Sequence, residues 1–65
     1  MKIKWKFNRE MSDIVSGAAY MWDDWEIFNF VGIWFAGYKF DGKNYTVLEK
    51  FKTCKEAMSF VKASN

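Results

Sequence analysis

Glu26-Ile27-Phe28-Asn29-Phe30-Val31-Gly32-Ile33-Trp34-Phe35-Ala36-Gly37-Tyr38-Lys39-Phe40 is the stretch on which the fold depends. Rich in Phe, Ile, Val, Trp and Tyr, it has the composition of a strand, and its glycines mark a bend or a bulge within one long or interrupted strand. Strand residues point alternately to opposite sides. Even positions therefore set Phe28, Phe30, Trp34, Tyr38 and Phe40 on one face, and odd positions set Ile27, Val31, Ile33 and Phe35 on the other, with Asn29 and Lys39. Both faces are substantially apolar.

Asp41-Gly42 followed by Lys43-Asn44 is a turn signal, and Tyr45 to Lys52 continues as a β-branched and aromatic strand, so a hairpin is expected. A two-residue loop pairs Phe40 with Lys43, Tyr38 with Tyr45 and Ala36 with Val47; a four-residue loop shifts the partners by two and keeps the faces. One face then collects Phe28, Phe30, Trp34, Tyr38, Tyr45, Val47 and Phe51. The other collects Val31, Ile33, Phe35 and Leu48 among Lys39, Lys50 and Lys52. A three-residue loop with a bulge would exchange these assignments.

Working outward towards the N-terminus, Met11, Ile14, Val15, Ala18, Met21, Trp22 and Trp25 recur at three- and four-residue steps, which predicts a helix over 11–25 capped by Ser12 or Asp13. Before it, Lys2-Ile3-Lys4-Trp5-Lys6-Phe7 alternates polar and apolar, a strand with one wet face whose lysines guard a sheet margin. Towards the C-terminus, Thr53-Cys54-Lys55-Glu56 fits a capping box opening a helix to Ala63, with Cys54, Ala57, Met58 and Val61 as its apolar stripe. The expected fold is a single α+β domain over 1–65: a small antiparallel three-stranded sheet with two helices, in the order β-α-β-β-α, both helices on one sheet face.

Aromatic residues make up 22% of the 65-residue chain, which contains no His and no Pro. A domain this small buries only about 60% of the surface its unfolded chain exposes, so rings at ~150–250 Å² each supply the core. Ten basic and eight acidic residues leave a net charge of +2, too weak to announce nucleic acid or anionic lipid. The longest uncharged run, Ile27 to Tyr38, is twelve residues, whereas a spanning helix needs about 20. No membrane association is expected. The lone Cys54 excludes an internal disulfide, and the lysines near the start differ from a secretion signal, so a cytoplasmic protein is expected.

Without His, the common nucleophile systems and usual zinc sites are absent or impoverished, and the chain reads as a non-enzyme with no cofactor and no metal. Cys54 at a helix start could have its thiolate favoured, but a small residue in an apolar stripe is the simpler account. Asp23, Asp24 and Glu26 cluster without the further ligands a hard metal needs. Beside Trp22 and Trp25, Asp23 and Asp24 form an aromatic and acidic rim suited to basic residues of a partner, or simply a solvated helix end.

The second sheet face carries the functional expectation. If both helices cover the other face, Val31, Ile33, Phe35 and Leu48 are left outward with Lys39 and Lys50, and such a patch marks a partner. The alternative divides the helices between the faces and buries everything. The partner-binding set is therefore Val31, Ile33, Phe35, Leu48, Lys39 and Lys50, with Trp22, Trp25, Asp23 and Asp24. A symmetric homodimer through the same patch is a further arrangement. A nucleic-acid binder with stacking rings and Lys39, Lys43, Lys50 and Lys52 on phosphates is the alternative function, disfavoured by the balanced charge.

Two resemblances bear on this. Phe51-Lys52-Thr53-Cys54-Lys55-Glu56-Ala57-Met58-Ser59-Phe60-Val61 resembles the strand, capped threonine and helix that close the arm-binding domains of phage integrases and plant AP2 factors, although the arginine-rich strands with which those families read DNA are missing. In style, a short, lysine-rich, proline-free, aromatic-rich chain is similar to host-takeover and anti-defence proteins of large tailed bacteriophages. That resemblance implies a non-enzymatic module that sequesters or inhibits a larger host or bacterial protein.

Overall fold

The computed structural model describes residues 2–39 and 43–65, so the expected Asp41-Gly42 turn and Phe40 lie outside the described residues. The elements are β1 (Lys6–Phe7), α1 (Arg9–Val15), β2 (Ala19–Trp22), β3 (Trp25–Phe30), β4 (Ile33–Tyr38), β5 (Val47–Phe51) and α2 (Cys54–Ala63). All five strands join one antiparallel sheet whose spatial order is the chain order. The fold is α+β. The expected three-stranded sheet and its β-α-β-β-α order are overturned, for two local reasons.

The helix expected over 11–25 begins and ends earlier. Asn8 caps it instead of Ser12 or Asp13, its Oδ1 accepting from the Met11 N–H at 3.1 Å. Ser16 then turns left-handed at φ 55, and the Ser12 hydroxyl donates to the Gly17 carbonyl at 2.6 Å, closing the helix on itself. Gly17 passes hard against β3: a Cβ there would stand 2.5 Å from the Asn29 carbonyl oxygen. Beyond it, Ala19–Trp22 pairs with β3 from Ala19↔Phe28 to Trp22↔Trp25.

The second reason is Val31-Gly32, which turns the chain back sharply. Both residues have positive φ, 53 and 77, as a two-residue type I′ hairpin requires. The Asn29 Oδ1 accepts from the Gly32 N–H at 3.3 Å and fastens the turn. What reads as one interrupted strand is thus a β3–β4 hairpin, with Phe30↔Ile33 and Phe28↔Phe35 opposite each other.

That turn resets which residues share a face, because directly opposed residues point to the same side. Trp25 and Ile27 of β3 join Trp34, Ala36 and Tyr38 of β4 under α2, whereas Phe28 and Phe30, expected beside Trp34 and Tyr38, face the other way. β5 follows the four-residue alternative, with Tyr38↔Val47 and Trp34↔Phe51, and Tyr45 stands outside the strand. At the other edge only Lys6–Phe7 of the expected first strand is paired, with Met21 and Tyr20.

The core lies between α2 and the sheet. Ile27, Ala36, Ala57 and Val61 are fully buried, Trp25 nearly so, and Ile3, Trp5, Trp22, Trp34, Phe51 and Met58 close round them. Trp25 stacks at a tilt on Tyr38, 5.0 Å between centroids, and meets Phe60 edge-on at 6.0 Å. Thr53 caps α2 as expected, its Oγ1 accepting from the Glu56 N–H at 3.1 Å; the Glu56 carboxylate accepts from the Thr53 hydroxyl at 3.2 Å, a side-chain variant of the box's second bond.

Ala19 and Phe28 are also buried, yet they point away from α2. α1 lies along β2 and β3, the strands that carry them, and α2 along β3, β4 and β5. The helices therefore divide between the two faces, correcting the expectation that they share one. α1, shorter than expected, covers only the β2–β3 half of its face. Among the described residues no helix is long and apolar enough to cross a membrane.

Candidate protein-binding face

The uncovered half of the second face is built by β4 and β5 and the tip of the β3–β4 hairpin. Ile33 and Phe35 alternate along β4 with Gly37, and the register sets Phe35 opposite Lys50 and Gly37 opposite Leu48. The structure thus brings Ile33, Phe35, Leu48 and Lys50 together, as their parity in the sequence predicts. Leu48 and Ile33 are each more than 40% exposed, while Phe35 is half-buried by stacking on Phe28 at 5.3 Å. Val31 projects from the tip at 80% exposure.

Phe30 belongs to this strip, 47% exposed and directly opposite Ile33, and the sequence reading missed it. The signal was Val31-Gly32 itself. A glycine at the second position of a two-residue turn reverses parity, and a bend does not. On the β5 side the strip passes into a shallow hollow of about 560 Å³ lined by Ile33, Lys50, Lys52 and Glu56 among others. Among the described residues no carboxylate lies in ion-pair reach of Lys50 or Lys52.

Lys39 is engaged within the fold. Its ammonium lies 3.7 Å from Glu26 Oε1 and 4.7 Å above the centre of the Tyr45 ring. The Tyr45 hydroxyl donates to the same Glu26 oxygen at 2.6 Å, and its ring lies where a Cβ on residue 37 would be, against Gly37. Burial first, then the hydrogen bond and charge of Glu26, push the Tyr45 hydroxyl well above its ordinary range. Lys39–Glu26–Tyr45 is thus a lid over the upper end of this face, and the apolar strip begins below it.

The expected aromatic and acidic rim does not form. Trp22 and Trp25 oppose each other across the β2–β3 hairpin with their side chains towards α2, and Trp25, only 5% exposed, offers no surface to a partner. Asp23 and Asp24 form the two-residue loop between them, Asp23 at φ 56, and stay exposed at the opposite end of β3 from Val31. With Glu10, Glu26, Met21 and Lys39 they border a hollow of about 280 Å³. Among the described residues no group of three or more His, Cys, Asp or Glu side chains could hold a metal ion.

Cys54 opens α2, but burial raises its thiol pKa, so the helix start does not yield a reactive thiolate. The arrangement on the second face is suited to contact: half-exposed apolar side chains on rigid strands, with lysines along one flank. Comparison with protein-family models, with characterised proteins and with solved structures gives no match.

Proposed function

We propose that the chain is a non-enzymatic protein-binding module, which captures a larger protein on the strip Phe30, Ile33, Phe35 and Leu48 and so sequesters or inhibits it. The observation that carries this reading is the unequal covering of the sheet: α1 spans β2 and β3 only, and apolar side chains on the β4–β5 half remain in water. Interfaces typically have an apolar centre with a polar rim, here Lys50 and Lys52. The lack of His supports a binding role over a catalytic one. A free Cys54 without a disulfide partner suits the reducing cytoplasm, where we propose that the protein acts.

A nucleic-acid role has less support, because base stacking needs open ring faces. On this strip Phe28 is buried, Phe35 is stacked on it and Tyr45 carries Lys39 over its ring, which leaves Phe30 as the open ring among the described residues, whereas tracking a strand of bases needs several. The test is an Ile33→Glu/Leu48→Glu double variant on a tagged chain. Both side chains are substantially exposed, so the thermal midpoint should hardly move, while the protein retained from a native lysate by the parent chain should be missing. A variant that unfolds would make the strip core, and retention of the same partner would locate binding elsewhere. Light scattering of the parent chain separates a larger partner from a second copy.

A further inference from the structure

On the opposite side of the sheet, the residues before β1 lean on α2 and leave a groove of about 570 Å³ between them. Its floor is apolar, made by Ile3, Trp5 and Met58, with the protonated thiol of Cys54 adding no charge. Its rim is basic: Lys55 and Lys62 stand with Ser59 on one stripe of α2, at steps of four and three, and Lys2 faces them from the N-terminal segment. Among the described residues no acidic side chain lines it, and none of these lysines has a carboxylate in ion-pair reach. Three like charges gathered round an apolar floor repel one another, and an anionic occupant with an apolar anchor removes both the repulsion and the wet apolar surface.

We infer that this groove is a second docking site, which takes an acidic peptide segment carrying apolar residues between its carboxylates. The volume lies in the range of small-ligand pockets, enough for a short segment rather than a domain face. The site lies across the sheet from the Phe30–Leu48 strip and does not rest on the function proposed for it. With both occupied, the chain would bridge an acidic tail and a larger surface.

The test uses the whole chain and a short soluble peptide alternating Glu and Leu, with a Gln-for-Glu counterpart, followed by backbone amide NMR. The acidic peptide should shift the amides of Ile3, Trp5 and Cys54 to Lys62, bind about tenfold more tightly than the Gln peptide, and weaken as salt is raised. Lys55→Glu/Lys62→Glu should abolish these shifts. The reversal places one acid near the start of α2 and one near its end, so dipole effects offset, and Lys55→Gln/Lys62→Gln provides a second variant with a partial loss should the first misfold. Equal binding of the Gln peptide, binding unaffected by the charge changes, shifts confined to Ile33, Phe35 and Leu48, or no shifts at all would each overturn the inference. Shifts with anionic vesicles but not with the acidic peptide would overturn it in favour of a lipid surface.

Discussion

Val31 occupies a backbone conformation that its own side chain disfavours. At φ 53 a β-branched residue stands where Asn or Gly is at ease, and because it is 80% exposed it gains little from burial in return. Val31→Asn should therefore raise stability by about 1 kcal/mol, read as a higher urea midpoint with an unchanged slope; an unchanged or lower midpoint would mean that the valine makes contacts that offset the strain. Tyr45 carries the alkaline response. Its folded pKa lies above the usual 10.0, so its contribution is fully present below that pH and is lost as pH rises beyond it, where the unfolded chain has already given up the proton. The midpoint should fall above pH 10 more steeply in the parent chain than in Tyr45→Phe. At neutral pH the same substitution should cost about 1 kcal/mol for the lost bond to Glu26.

At the scale of elements, Gly37 is what allows the loop residue Tyr45 to lie on β4. A Cβ there would come within 2.6 Å of two Tyr45 ring carbons and 3.2 Å of Leu48. Gly37→Ala should cost about 1–3 kcal/mol and, by displacing the ring, also remove most of the alkaline response assigned to Tyr45; retention of that response would show that the ring accommodates the methyl. The elements legible in the sequence were those specified by neighbours in the chain. Thr53 and Glu56 announce α2 because a capping box is a four-residue device, and Ile33, Phe35, Leu48 and Lys50 share a face because parity within β4 and β5 is local. The first helix differs from its sequence pattern because Ala18, Met21, Trp22 and Trp25 fit a helical stripe, while the Asp23–Asp24 turn that brings Trp22 opposite Trp25 carries no glycine; what decides is the approach of Gly17 to the Asn29 carbonyl, a contact between segments. Parity along a continuous strand sets Phe30 with Trp34 and Tyr38 rather than with Ile33, because a valine in a left-handed turn is a poor signal for a hairpin.

Across the whole molecule the two sheet faces differ in what they bear. A core this small rarely supplies more than about 3–5 kcal/mol, and truncating a buried Ile costs about 2–5 kcal/mol. Ile27→Ala, under α2, should therefore leave the chain largely unfolded by far-UV circular dichroism at room temperature, whereas Leu48→Glu on the open face should leave the spectrum intact. A folded Ile27→Ala would show that the second face contributes more than its exposure suggests. Strand order has its own consequence for how the molecule forms. Each strand pairs with its neighbour in the chain, and two junctions close over two residues each, Asp23–Asp24 and Val31–Gly32. Among the described residues each pairing joins strands adjacent in sequence, so the sheet should fold faster than one of similar size with long crossovers. The Val31–Gly32 turn is a local place to test this: a residue at ease in the left-handed conformation at position 31 should speed folding with the unfolding rate almost unchanged when the β3–β4 turn forms in the transition state, and should slow unfolding instead when the turn forms later.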